Sequence, residues 1–191
     1  MRKAGPEDRA VVVKVLSESF RNDPHVTWLI EESQNRNKLK ILIEYVVDET
    51  LSKGEIYLSD DHTAAAMWDS EKSEKVSLRY VSRNLSFLFR VGLKATMRNL
   101  KMNALIHNQY PKNERYCHLY LIGVLPERQG QGRGSALMDP MIENMGRKSV
   151  PIYLETANPT NVEIYKKKGL DVFHTMRCGS NTLYLMKSNP R

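Results

Sequence analysis

Val124-Leu-Pro-Glu-Arg-Gln-Gly-Gln-Gly-Arg-Gly134 is the stretch on which the reading of this 191-residue chain turns. The apolar run His118 to Gly123 leads into it and a helical pattern follows, so the local order is strand, glycine loop, helix. Gly130, Gly132 and Gly134, at alternate positions, let the backbone turn without Cβ clashes and aim successive N–H groups at one point. The positive end of the following helix dipole adds to them, and the product is a pocket for a phosphate anion.

Spacing excludes one nucleotide motif and disfavours another. A triphosphate loop needs Gly-x-x-x-x-Gly-Lys-Ser/Thr, whereas Ser135 follows Gly134 with no lysine before it. A dinucleotide fingerprint needs Gly-x-Gly-x-x-Gly near the start of a long alternation of strands and helices. Gly130-Gln-Gly132-Arg-Gly134 has a different last spacing, and only 57 residues follow it.

The loop instead resembles that of the GNAT N-acetyltransferases, Val-x-Pro-x-x-Gln/Arg-Gly-x-Gly-x-Gly/Ala, and matches it at every specified position. The resemblance continues in family order through Tyr153-Leu-Glu-Thr-Ala-Asn158, Tyr165 and Gly169, covering about Leu119 to Leu185. Within the family the likeness is greatest to the puromycin acetyltransferase type, which shares the Leu-Glu-Thr run ahead of the asparagine and tyrosine. It implies a GNAT fold of the α/β (α+β) class, with a central mixed, mostly antiparallel sheet flanked by helices and splayed around acetyl-CoA. It also implies that Gln129, Gly130, Gln131, Gly132, Arg133, Gly134 and Ser135 hold the pyrophosphate, with charge from Arg128 and Arg133. Ile122, Gly123 and Val124 would pair with the pantetheine arm like an added strand, Asn158 would bond to the same arm, and Tyr165 would protonate the departing thiolate. Two departures stand out: Leu170 replaces the phenylalanine usual after the glycine, and Tyr116-Cys117-His118 stands where relatives often carry His-Trp-Tyr.

Acetyl transfer to an amine needs a base. An ammonium of pKa about 10.4 lies about 3.4 units above neutrality, so freeing its lone pair costs about 4.6 kcal/mol. Glu155, near the C-terminal end of a strand pattern and on the face opposite Ile152 and Leu154, is the candidate, set against a structural carboxylate paired with an arginine. The N–H of Val124 is a candidate oxyanion donor. Asn158-Pro159 also reads as a helix N-cap followed by proline at the first helical position. His118 reads as a hydrogen-bonded core histidine with no second ligand spaced to complete a metal site, and Cys117 as a buried thiol.

Composition bounds the rest. The length fits one domain, residues 1–191, with no disulfide required, and no apolar run reaches the 18 residues of a membrane span. The two cysteines, Cys117 and Cys178, and a charged N-terminus predict a reduced cytoplasmic protein. Ten of 29 Lys/Arg but three of 22 Asp/Glu fall between Glu71 and Arg115, so that segment carries the whole net charge of +7. Apolar residues recurring from Val76 to Ile106 predict a basic helical insertion there, interrupted near Gly92, at about 71–115. Its apolar stripe needs a partner, which a homodimer would supply. It lacks the interleaved glycines and aromatics of a nucleic-acid surface, and no nucleic-acid partner is expected.

Elsewhere the pattern predicts a helix from Gly5 to about Asn22, a helix over Gln34 to Ser52, and strands at 55–59 and 63–69 around Asp60-Asp61-His62. A helix over Ser135 to Met145 should kink or break at Pro140. A strand over 150–156, a helix from Asn158 to Lys168 and a hairpin around Gly179-Ser180 complete the chain. The functional expectation is an acetyl-CoA-dependent N-acetyltransferase for a small-molecule amine, by direct attack in a ternary complex. Alternatives are a protein or peptide N-acetyltransferase and a CoA-binding module without turnover.

Overall fold

The structure, a computed structural model, describes residues 1–30, 36–70 and 91–189. The first part of the expected insertion, residues 71–90, lies outside the described residues.

The elements are β1 (Arg2–Lys3), α1 (Arg9–Ser19), α2 (Pro24–Ile30), α3 (Arg36–Lys53), β2 (Glu55–Leu58), β3 (Ala64–Ser70), α4 (Leu93–His107), β4 (Cys117–Val124), α5 (Arg133–Arg147), β5 (Ile152–Thr156), α6 (Pro159–Lys166), β6 (Leu170–Cys178) and β7 (Asn181–Ser188). Among the described residues the strands form one seven-stranded sheet in the order β1-β2-β3-β4-β5-β7-β6. Every pairing is antiparallel except β4 with β5, giving the mixed, mostly antiparallel sheet expected for a GNAT fold.

Period-two alternation sorts the core. On β3, Ala65 and Met67 join Ile56, Leu58 and the buried stripes of α1 and α3 (Val12, Leu16, Ile43, Val47) on one face. Ala64, Ala66 and Trp68 turn to the other face, with Leu119, Ile152, Leu154 and the buried side of α5 and α6. A third cluster gathers Met102 of α4 with Tyr110, Tyr116, Tyr153, Leu183 and Leu185.

Three expectations are corrected. The N-terminal region is a 3-10 turn (Pro6–Asp8) followed by α1, and the chain then starts a separate helix at Pro24 rather than merely ending one there. Asp23 caps α2: one carboxylate oxygen accepts from the N–H of His25 at 2.9 Å and of Val26 at 3.0 Å. The third is α5, which runs unbroken through Pro140: the proline lies on the exposed side, and the buried stripe of Leu137, Met138 and Met141 holds the helix to the sheet on both sides of it.

Candidate active site

The site begins where two strands part. β4 and β5 pair at Cys117 with Ile152, His118 with Tyr153 and Leu119 with Leu154, and no further. At that point the β3–β4 register slips: Met67 faces Leu121 but Trp68 faces Leu119, leaving Tyr120 as an extra residue in β4. A bulge of this kind bends its strand and ends the ladder. Tyr120–Val124 therefore runs on with β3 at one side and a gap toward β5 at the other. The N–H of Leu125 bonds to the carbonyl of Thr63 across β3, so the N–H of Val124, one residue earlier, points to the opposite edge, into the gap. The carbonyl of Val124 accepts from the Gln129 side-chain amide at 3.1 Å, which agrees with that orientation.

A cleft enclosing about 970 Å³ of space, part of it open to solvent, runs through the gap. Glu155 and Tyr165 both line it, as does Ile122. Glu155 projects from β5 on the face opposite Ile152 and Leu154, as its position in the strand predicts. One carboxylate oxygen accepts from the Tyr110 hydroxyl, and the other lies 3.0 Å from Nε2 of His118. The Glu155 and His118 side chains are each 13% exposed. Burial pushes Glu155 up to about 8 and His118 down to about 3, both shifts favouring the uncharged forms, a protonated carboxyl beside a neutral imidazole. Tyr110 packs 4.8 Å from Tyr153, 5.3 Å from Tyr116 and 5.6 Å from His118 between ring centroids, which holds its hydroxyl on the carboxylate.

His118 is thus a hydrogen-bonded, largely buried histidine, as its place in an apolar strand suggests, but its partner is the candidate base. Sequence reasoning missed both His118 and Tyr110 as site residues. The signal available for His118 was parity: in a parallel pair that aligns it with Tyr153, His118 and Glu155 share one face.

Tyr165 on α6 is buried, and burial raises its hydroxyl pKa further above the ordinary phenol value, keeping it protonated. Asn158 is the N-cap of α6, its Oδ1 accepting from the N–H of Thr160 at 3.0 Å, with Pro159 behind it. Asn158 is not among the residues that line the cleft, whereas Asn161 of the same helix is, with Asn99 and Asn103 of α4.

The glycine loop lies beyond the end of β4. After a 3-10 turn (Pro126–Arg128), Gly130 and Gly132 adopt φ of 72° and 75°, and Gly132 is the N-cap of α5. Neither glycine has a heavy atom within 4 Å of where a Cβ would stand, so their backbone faces open space. The first-turn N–H groups of α5, from Arg133 to Ser135, have no i−4 acceptor. The loop from Glu127 to Gly132 is exposed and leads into a helix start, the kind of position that can take an anion such as a diphosphate. Arg133 reaches away from the loop to Asp61 in the β2–β3 turn, where hydrogen bonds from Ser59 and Thr63 hold the carboxylate down at about 2. Gly123 has a second role: a Cβ there would stand 2.7 Å from Ser19 and 3.1 Å from Leu16, so its bareness seats α1 on β4.

Among the described residues, no group of three or more His, Cys, Asp and Glu side chains is placed to hold a metal ion, and no helix is long and apolar enough to cross a membrane. Cys117 and Cys178 are buried free thiols, Cys117 pushed up to about 12 chiefly by burial.

The family model of the acetyltransferase (GNAT) family matches residues 103–170. Mycothiol acetyltransferase of Streptomyces griseus is 34% identical over 59 residues, which is 29% of this chain and 19% of that protein, so the chain matches about a fifth of the curated relative's length. Among solved structures, a Corynebacterium glutamicum protein described as histone acetyltransferase HPA2 and related acetyltransferase superposes with a TM-score of 0.72 at 21% identity, covering 100% of this chain and 95% of that one. Arylalkylamine N-acetyltransferase 2 of Aedes aegypti superposes with a TM-score of 0.71 at 10% identity, covering 100% and 98%. The segment that the family model matches contains the glycine loop and the strands that part, and the likeness to the solved structures is one of fold over the whole chain.

Proposed function

We propose that this chain is an acetyl-CoA-dependent N-acetyltransferase that acetylates a small primary amine by direct attack in a ternary complex. The observation that carries the proposal is the Glu155–His118 pair, set in the gap where β4 and β5 part. Acetyl-CoA supplies a thioester already activated toward amines, and the amides from Gly130 to Ser135 are available to its diphosphate, the Gln129 N–H being taken by the carbonyl of Pro126. Ile122, Gly123 and Val124 present the strand edge along which the pantetheine arm would lie.

Glu155 takes the proton of the acceptor ammonium. An ordinary carboxylate lies about six units below such an ammonium; at about 8 the gap narrows to between two and three, which leaves roughly 3 kcal/mol to find. Tyr110 and His118 hold the two carboxylate oxygens and fix their direction. The N–H of Val124 is placed to hold the carbonyl oxygen as negative charge develops on it. Tyr165 donates a proton to the departing sulfur and helps to line the same cleft. The likeness to the puromycin acetyltransferase type supports pairing the Leu154-Glu-Thr156 run with Tyr165.

A small acceptor is favoured over a protein tail because helices α2, α3 and α4 all contribute to the wall of a cleft that is only partly open to solvent. The test is thiol release from acetyl-CoA across a panel of amines, with calorimetry for the carrier. Glu155→Gln should lower kcat by about 10² to 10⁴ with CoA affinity unchanged, and Tyr165→Phe by about 10². In the wild type, kcat/KM should climb toward a plateau above pH 8 as Glu155 ionises. A double variant that transfers acetyl groups at the wild-type rate removes this mechanism, and one that binds CoA in a protein without turnover leaves a CoA-binding module.

A further inference from the structure

Helix α4 has two faces, and the cleft uses one of them. Ala95, Thr96 and Met102 are buried, and Asn99, Asn103 and Ile106 line the cleft. Arg98 fixes the rotation of the helix about its axis: its guanidinium donates to the carbonyl of Trp28 at 3.0 Å and lies 5.4 Å from the centre of the Trp28 ring. On the opposite side Leu93, Met97 and Leu100 follow at i, i+4 and i+7, the spacing of one helical stripe. They are 66%, 58% and 43% exposed, and Leu93 and Met97 are the most exposed large hydrophobic side chains among the described residues. A contiguous exposed apolar row of this kind marks a surface that something covers.

The charge beside the stripe has one sign. Lys94 and Lys101, seven residues apart, flank it on one side, and both are exposed. No aspartate or glutamate occurs from Val91 to Asn113, and the wider segment from Glu71 to Arg115 carries the whole net charge of +7. An aliphatic stripe edged with lysines is complementary to an anionic lipid surface: the apolar side chains enter the acyl boundary while the long lysine stems carry their ammonium groups to the headgroup phosphates. A second copy of the chain fits less well, because a two-fold pairing through the stripe would set like charges against each other. A nucleic acid also fits less well, since α4 has no Phe, Tyr or Trp on which a base could stack and its most exposed side chains are aliphatic.

We propose that the outer face of α4 docks on an anionic lipid bilayer, with Leu93, Met97 and Leu100 entering the interface and the charge of Lys94 and Lys101 at the headgroups. Docking there sets the outer side of one cleft wall against the membrane. The proposal does not depend on the acetyl-transfer reading, because binding is read without acetyl-CoA.

The experiment mixes the full chain with vesicles of phosphatidylcholine alone, or of phosphatidylcholine with about 30% phosphatidylserine, and reads co-sedimentation. Binding to the charged vesicles should be about tenfold tighter than to the neutral ones and should weaken severalfold as salt rises from about 0.1 to about 0.5 M. Met97→Glu should weaken it about tenfold with the melting temperature unchanged, since that side chain packs on nothing inside the fold, and Leu100→Gln should act in the same direction. The pair Lys94→Gln and Lys101→Gln should reduce the preference for charged over neutral vesicles. Absent binding, equal binding to the two vesicle types, or binding that Met97→Glu and Leu100→Gln leave unchanged overturns the proposal. So does a dimer in solution that Met97→Glu dissociates, or tighter binding to nucleic acid than to vesicles. The wild-type comparison of the two vesicle types needs no variant to fold, and each of these results leaves acetyl transfer standing.

Discussion

A carboxyl that burial holds near 8 burdens the fold. The folded-state value of Glu155 lies above its ordinary 4.5, so its contribution to stability is fully present below about pH 4.5 and is lost as pH rises through about 8. His118 is shifted the other way, from 6.5 to about 3, so its contribution is present above 6.5 and is lost as pH falls toward 3. Between those limits the two slopes oppose each other. Glu155→Gln should therefore flatten the loss of melting temperature between pH 4.5 and 8, and parallel curves for variant and wild type would count against burial as the cause. At this scale the glutamate was legible from strand parity and its place before Asn158. Its partners were not, because His118 and Tyr110 lie 37 and 45 residues away along the chain and only the folded register joins them.

The glycine loop and its helix make a sharper test at the level of the element. Gly132 stands at φ 75°, where an L side chain costs about 1–2 kcal/mol, so Gly132→Ala should destabilise by that amount in urea unfolding and weaken CoA binding. Gly134 has no such φ, and a Cβ there would meet Val124 at an ordinary 3.6 Å; Gly134→Ala should fold with wild-type stability or slightly better. Equal penalties for the two would contradict the backbone argument. Elements with a local chemical signature were legible in advance: the loop, the Asn158-Pro159 cap and the hairpin at Gly179. Asp23-Pro24 carries the same cap-and-proline signature as Asn158-Pro159, yet a proline after a helical pattern also reads as a stop, and α2 was missed for that reason. Pro140 misled in the opposite sense, since propensity argues for a break and tertiary packing on Leu137 and Met141 keeps the helix whole.

Across the molecule, the sheet consists of a β1–β4 half and a β5–β7 half, joined by three residue pairs between β4 and β5. No periodicity in the chain could announce this seam, because a parallel pairing depends on contacts far apart in sequence. The fold class, by contrast, was legible from the order of elements and the loop. Gly123 shows how closely the first half is packed: Gly123→Ala should cost about 1–3 kcal/mol by forcing α1 off β4, readable as a lowered denaturation midpoint with unchanged slope.

The truncated ladder between β4 and β5 has a further effect. From Tyr120 to Val124 one side of the strand has no paired strand among the described residues, so a carrier lying along it would act as a temporary crossbeam between the halves. Deuterium should enter the Ile122 and Val124 amides quickly in the free protein and slowly when CoA is bound, and the melting temperature should climb with the logarithm of CoA concentration. The opening that admits the carrier would then also be the place where the carrier fastens the two halves together.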